Sequence, residues 1–159
     1  RRYFFEAGPR LVDQALRRGE AMSIAILDID HFKRLNDTYG HEVGDVVLKA
    51  ISRRLRHRVG DRHLLARLGG EEFGIIFHGL GLEEALANCE RLRGELAAQP
   101  INADGEPLTV TVSVGLAAIS GRETFDNYLN AADQFLYMAK HAGRNCVFSE
   151  LSLMSALAS

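Results

Sequence analysis

The chemistry open to this chain is concentrated in carboxylates. Asp28 follows Ile24, Ala25, Ile26 and Leu27, so its charge leaves an apolar run where desolvation is costly. Neither Lys nor Arg stands beside it, and it needs a partner. Glu71 and Glu72 follow Gly69 and Gly70 in the stretch RLGGEEF, residues 67–73. If these carboxylates meet Asp28, like-charge repulsion raises the cost unless a cation lies between them. Oxygen ligands with positions left for water or phosphate suit Mg²⁺. The plainer alternative is that Asp28 and Asp30 cap the short helix after them and that Glu71 and Glu72 are solvated turn residues.

Other polar residues have two readings each. Asn36 and Asp45 bracket the glycine-spaced stretch YGHEVGD. An Asp accepts two donors from the N1 and N2 edge of guanine, and an Asn amide both donates and accepts. Spacing alone favours the plainer roles, with Asp45 capping the long helix after it and Asn36 stabilising a turn. Lys140 and Arg144 stand four apart and would share a helix face, either clamping phosphates or complementing the carboxyl end of the helix. Lys33 is a third candidate cation. The histidines at 57, 63, 78 and 141 read as scattered surface or packing residues, and Phe73, Phe77, Phe125, Phe135 and Tyr137 as core.

These groups need elements to position them. Residues 23–29 form a nearly continuous apolar run, as in a central strand covered on both faces. A short helix over 32–37, the glycine-spaced loop and a long helix over 45–59 follow. Residues 63–68 and 72–77 read as strands joined through Gly69 and Gly70, a two-residue hairpin signal. An amphipathic helix over 82–97 leads to an alternating strand over 108–119. A last helix over 124–142 stops at Gly143, and a short strand over 146–148 ends the core. The final ten residues are expected to be a loose tail.

The order strand, helix, strand, strand, helix, strand predicts an α+β, ferredoxin-like sandwich with a mostly antiparallel sheet. A strand–helix–strand unit is parallel, so the tip of the hairpin after the second strand lies at the same sheet edge as the end of the first. Topology therefore brings Glu71 and Glu72 toward Asp28. The convergence favours the shared cation over separate plain roles.

Composition narrows the partners. A chain of 159 residues, 47% hydrophobic and 25% charged, can bury one core and asks for no second domain. A formal charge of −2 exerts no global pull on nucleic acid or anionic membrane. Cys89 and Cys146 lack metal-ligand spacing, which argues against structural zinc and suits a reducing compartment. With no signal peptide and no spanning apolar run, the expectation is a cytoplasmic domain without membrane contact of its own. The first residues, RRYFFEAGPRLVDQAL, enter a helical pattern with no capping residue ahead, suggesting a chain cut from a longer protein.

Four blocks, DIDHFKRLNDTYGHEVGD (28–45), RLGGEEF (67–73), TVSVGLA (111–117) and AADQFLYMAKHAGRN (131–145), together resemble the successive signatures of the GGDEF domain, the diguanylate cyclase family. The resemblance covers residues 1–149, leaving 150–159 as tail, and implies a nucleotidyl-cyclase-like fold. It implies condensation of two GTP into cyclic di-GMP with release of two pyrophosphates, in a signalling role. It implies Mg²⁺, with Mn²⁺ as substitute, held by Asp28, the carbonyl of Ile29 and Glu71, with Glu72 assisting at the metal and the reacting hydroxyl. It gives guanine to Asn36 and Asp45, and phosphates to Lys33, Lys140 and Arg144 with the amides of His31 and Phe32. Each domain would hold one GTP, so catalysis implies a homodimer. An N-terminal sensory or receiver region is implied in the full protein, which could be membrane-anchored through it.

Three features depart from the family pattern. Glu71 stands where Asp is common, keeping the carboxylate with longer reach. The RxxD product-inhibition site would fall at residues 60–63, where Gly60 and His63 replace its Arg and Asp. The DxLT-type segment upstream is missing. The rivals are a catalytically silent GTP-binding domain, disfavoured by the retained carboxylates, and a relative accepting ATP, disfavoured by Asp45. An RNA-binding ferredoxin-like module would want a basic surface and exposed sheet aromatics that the sequence does not suggest.

Overall fold

The computed structural model describes residues 1–158. In chain order the elements are α1 (Arg2–Arg17), β1 (Met22–Ile29), α2 (Phe32–Tyr39), α3 (His41–Val59), β2 (Leu64–Arg67), β3 (Glu72–His78) and α4 (Leu82–Ala98). After them come β4 (Ile101–Ala103), β5 (Glu106–Leu108), β6 (Val112–Ile119), α5 (Phe125–His141), β7 (Val147–Phe148) and α6 (Glu150–Ala158). The main sheet runs β2-β3-β1-β6-β7, and every pairing is antiparallel except β6 with β7. This is the expected α+β arrangement, with β7 added as one parallel edge strand.

β1 is buried along its whole length because side chains on both faces meet helices. Ala25, Leu27 and Ile29 pack with Val47, Ile51 and Leu55 of α3 and Cys89 and Leu92 of α4. Ile24 and Ile26 face Phe4 of α1 and Phe125, Leu129, Ala132 and Leu136 of α5. Each such Ile or Leu contributes about 1.5 to 3 kcal/mol by burial. Helix α5 lies so close on β6 that a Cβ at Gly115 would stand 2.0 Å from the carbonyl oxygen of Ala132 and 2.3 Å from the amide nitrogen of Leu136. α5 starts on the side-chain cap of Thr124, which accepts from Asn127 N–H, and ends with Gly143 at φ 114°. The Arg144 amide then bonds back to Ala139, closing the turn as a Schellman-type end.

Several expectations change. Helix α3 begins at His41, four residues before Asp45, because only Gly40 (φ 93°, ψ 161°) breaks the chain after α2. The glycine-spaced loop is thus helix, and Asp45 caps nothing. The RLGGEEF hairpin is not a two-residue turn: Leu68 and Gly69 amides both bond the Glu72 carbonyl, leaving residues 69–71 as the tip. Neither Gly69 nor Gly70 has positive φ. The strand expected over 108–119 starts later, as β6, with 109–111 outside any strand and Leu108 in β5, which pairs with β4 in a separate hairpin turning at Asp104 (φ 51°) and Gly105 (φ 86°). Tyr137 is not core but 63% exposed, lying against the His141 ring. Of the expected tail, residues 150–158 are helical as α6, with Glu150 Oε2 accepting the Ala118 amide 2.8 Å away on β6, and residue 159 lies outside the described residues.

Candidate active site

Asp28 is the last residue but one of β1, directly opposite Glu72 of β3 and Ser113 of β6. The Ile29 amide donates to the Glu71 carbonyl at 3.2 Å, which fastens the hairpin tip to the end of β1. Arg67 stiffens that tip from behind, its Nε donating to the carbonyls of Gly69 at 2.9 Å and Gly70 at 3.1 Å. The juxtaposition inferred from topology is therefore present. Asp28, however, has a cationic partner after all: Lys140 Nζ lies 2.6 Å from its Oδ2.

Asp30 does not cap α2, and neither does Asp28. Asp30 accepts from Thr111 Oγ1 and Ser113 Oγ, each at 2.6 Å, and from the Asn145 amide at 3.0 Å. It knots the end of β1 to β6 and to the segment after α5. His31 takes a left-handed conformation (φ 55°) to turn the chain into α2, whose amino end has no side-chain cap. Its first N–H groups stay available to an anion.

A cleft of about 290 Å³ is lined by Asp28, Ile29, Asp30, His31, Phe32, Lys33, Arg34, Glu71, Lys140 and Arg144. Lys140 and Arg144 meet there, but not by sharing a helix face. The helix ends at His141, and Arg144 turns in from a left-handed position (φ 64°). A Cβ on Gly70 would meet no protein atom within 4 Å, so this part of the tip can be approached closely.

Glu71 and Glu72 face different spaces. Glu72 lines an adjoining cavity of about 420 Å³ with Arg1, Asp126, Asn130 and Asp133, on the side of α1 and α5. Burial holds the Asp28 carboxyl above its ordinary value despite the hydrogen bond and charge of Lys140, with Asp30 adding to the rise. Burial also raises Glu72, followed by the negative charges of Asp133 and Asp28. Asn36 Oδ1 is buried without a hydrogen-bond partner among the described residues, and Asp45 is exposed on α3. Neither lines the phosphate-sized cleft.

The donor set fits a hard divalent cation. Asp28 and Glu71, with the carbonyl of Ile29 between them in the lining, would offer oxygen donors only, the kind such a cation takes. Among the described residues no group of three or more His, Cys, Asp or Glu side chains could hold a metal. The side chains alone would thus not complete a shell, and a cation such as Mg²⁺, which commonly takes one or two carboxylates, would complete it with water and substrate phosphates.

At residues 60–63, Gly60 ends α3 with φ 71°, and His63 is committed to the fold. Its Nδ1 accepts the His78 amide at 2.9 Å and its ring lies edge-on to Phe77. Sequence reasoning missed Arg34 as a cleft residue, Arg67 as the brace of the hairpin, and Thr111, Ser113 and Asn145 as the partners of Asp30. Only Arg67, two positions before the glycines, carried any local signal.

A family model described as diguanylate cyclase, GGDEF domain, matches residues 1–146. Diguanylate cyclase DgcP of Pseudomonas aeruginosa is 45% identical over 139 residues, which cover 86% of this chain and 21% of that protein. Response regulator PleD of Caulobacter vibrioides is 41% identical over 150 residues, 92% of this chain and 33% of PleD. The chain thus spans about a fifth to a third of the length of these curated relatives. The solved GGDEF domain of DgcB from Caulobacter crescentus, in complex with c-di-GMP, matches with a TM-score of 0.89 at 33% identity, covering 94% of this chain and 89% of that one. The active GGEEF domain of a diguanylate cyclase from Vibrio cholerae matches with a TM-score of 0.86 at 30% identity, covering 94% and 95%.

Proposed function

This chain belongs to the GGDEF family of diguanylate cyclases, and on that premise we propose that it condenses two GTP molecules into cyclic di-GMP and two pyrophosphates. One observation carries the reading. The Ile29 amide bonded to the Glu71 carbonyl ties the hairpin tip to β1, so Asp28 and Glu71 line one cleft with Lys33, Lys140 and Arg144. Carboxylates for a cation and cations for phosphates, side by side, suit a nucleoside triphosphate better than either set alone.

In this reading Asn36 and Asp45 bind guanine. The amides of His31 and Phe32, with Lys33, Lys140 and Arg144, hold the phosphates. Asp28, the Ile29 carbonyl and Glu71 hold Mg²⁺ or Mn²⁺, which when bound lowers the pKa of the attacking hydroxyl and neutralises charge on the transferring phosphoryl. The 3′-oxygen of one GTP forms a bond to the α-phosphorus of the other as the bond to pyrophosphate breaks, and the hydroxyl proton passes to a carboxylate base, the part given to Glu72. Glu72, whose carboxyl burial raises, assists at the hydroxyl. Ring closure needs the reaction twice, so two domains face each other as a homodimer.

In the full protein an N-terminal sensory or receiver region would bring the domains together. The name of PleD as a response regulator supports this, as does the solved complex of diguanylate cyclase SiaD with its activator SiaC. No helix among the described residues is long and apolar enough to cross a membrane, so any anchor would lie elsewhere. With Gly60 and His63 at the product-inhibition positions, cyclic di-GMP should bind weakly there. Tight calorimetric binding lost on mutating residues 60–63 would contradict that.

The activity is tested by incubating the protein with GTP and Mg²⁺, as it stands and fused to a dimerising coiled coil, and separating the products by chromatography. Cyclic di-GMP is expected from the forced dimer. Its absence there, with GTP still bound, would favour the silent GTP-binding alternative.

A further inference from the structure

We infer that Gly44 is a positioning residue for purine recognition, left without a side chain so that the Asn36 carboxamide can lie on α3 beside Asp45. The inference rests on the reading of Asn36 as a guanine-binding residue. A Cβ at Gly44 would stand 1.8 Å from Asn36 Oδ1, 2.9 Å from its Cγ and 3.4 Å from its Nδ2. The three nearest atoms to that Cβ all belong to one side chain.

The backbone conformation at this position does not call for glycine. Gly44 lies inside α3 and its φ is not positive, so any residue could adopt the backbone there. Glycine is also a poor helix former compared with alanine. The helix thus gives up local preference at a buried position, and the space gained is taken by the Asn36 amide. That amide is unusual in its own right. Its Oδ1 is buried yet accepts no hydrogen bond among the described residues, whereas buried amide oxygens are nearly always paired. Shape holds the carboxamide rather than a protein donor, with Oδ1 turned against α3, and this leaves the Nδ2 end, which donates to no group among the described residues, for a ligand. Because Gly44 precedes Asp45, the contact also sets the separation between the two groups that read the base.

The obstructed group is the end of a flexible side chain, not backbone. A methyl at position 44 would therefore be accommodated by rotation of Asn36, with α3 intact. Recognition and stability should separate, which a merely structural glycine would not allow.

The test compares the chain with N36A, G44A and the N36A/G44A double variant. Calorimetry measures Mg²⁺-dependent binding of 3′-deoxy-GTP and 3′-deoxy-ATP, analogues that bind without turnover, and thermal unfolding is followed in parallel. G44A should weaken the guanine analogue by about tenfold or more, reduce the preference for guanine over adenine by a similar factor, and keep or raise Tm. The double variant should bind no more weakly than N36A. Normal binding by G44A while N36A is impaired would overturn the role of Gly44 and leave the base-reading role of Asn36 standing. Normal binding by N36A would overturn both. Unfolding of G44A whatever residue stands at 36 would likewise overturn the inference, because α3 itself would then require the glycine.

Discussion

Lys140 Nζ lies 2.6 Å from Asp28 Oδ2, joining residues 112 positions apart at the mouth of the cleft. The Asp28 side chain is 12% exposed and that of Lys140 34%. Losing the lysine would strand a largely buried carboxylate. Lys140→Met should therefore cost about 1 to 3 kcal/mol in urea unfolding, short of the figure for a fully buried pair. Asp28→Asn on top of it should restore most of the loss. Additive effects in that double-mutant cycle would mean that the pair is not coupled.

Glu72 gives a pH-dependent prediction. Its carboxyl is held above the ordinary 4.5 by burial and then by Asp133 and Asp28, so the folded chain retains a proton that the unfolded chain releases. Stability therefore falls as pH rises through the window above 4.5. Without metal and nucleotide, Glu72→Gln should unfold at a higher temperature than the parent at about pH 7, and the difference should vanish below the ordinary carboxylate range. The same variant should lose cyclase activity, the trade-off expected where charge is kept for function.

Asp30 holds three donors from two other segments. Asp30→Ala leaves Ser113 and the Asn145 amide short of a partner and should cost about 2 to 4 kcal/mol. Because Arg144 adjoins Asn145, binding of the nucleotide analogue should weaken too. Urea unfolding and calorimetry check the two effects separately.

Gly115→Ala should be far more damaging than its size suggests. The added carbon would meet backbone atoms of α5 at 2.0 and 2.3 Å, which cannot rotate away. A loss of about 3 kcal/mol or more is expected, seen as a low Tm or failure to fold.

The sequence carried the topology well, because β1 reads as an apolar run and the βαβ rule alone puts the hairpin tip beside Asp28. It carried side-chain partnerships poorly. Lys140 reaches Asp28 from a helix that Gly115 lets settle closely on β6, and no local pattern encodes that distance. Asp30 looked like a helix cap because the nearest element is α2, while its partners Thr111, Ser113 and Asn145 arrive from remote segments. In the sequence Gly44 reads as loop punctuation, yet it lies inside a helix against the Asn36 side chain, so the pattern starts α3 later than the molecule does. The β4–β5 hairpin did carry its Asp-Gly signal at 104–105, but an alternating pattern continuing to residue 119 masked it.

On the proposed function, the Asp28 carboxylate, brought to the hairpin tip beside Glu71, is required for GTP condensation. The most direct test is cyclic di-GMP formation by a forced dimer carrying Asp28→Asn, with Tm and binding of 3′-deoxy-GTP measured on the same preparation. The expected result is a folded, nucleotide-binding protein whose product formation falls by about a hundredfold or more. An Asp28→Asn dimer that makes cyclic di-GMP at the parent's rate would contradict it.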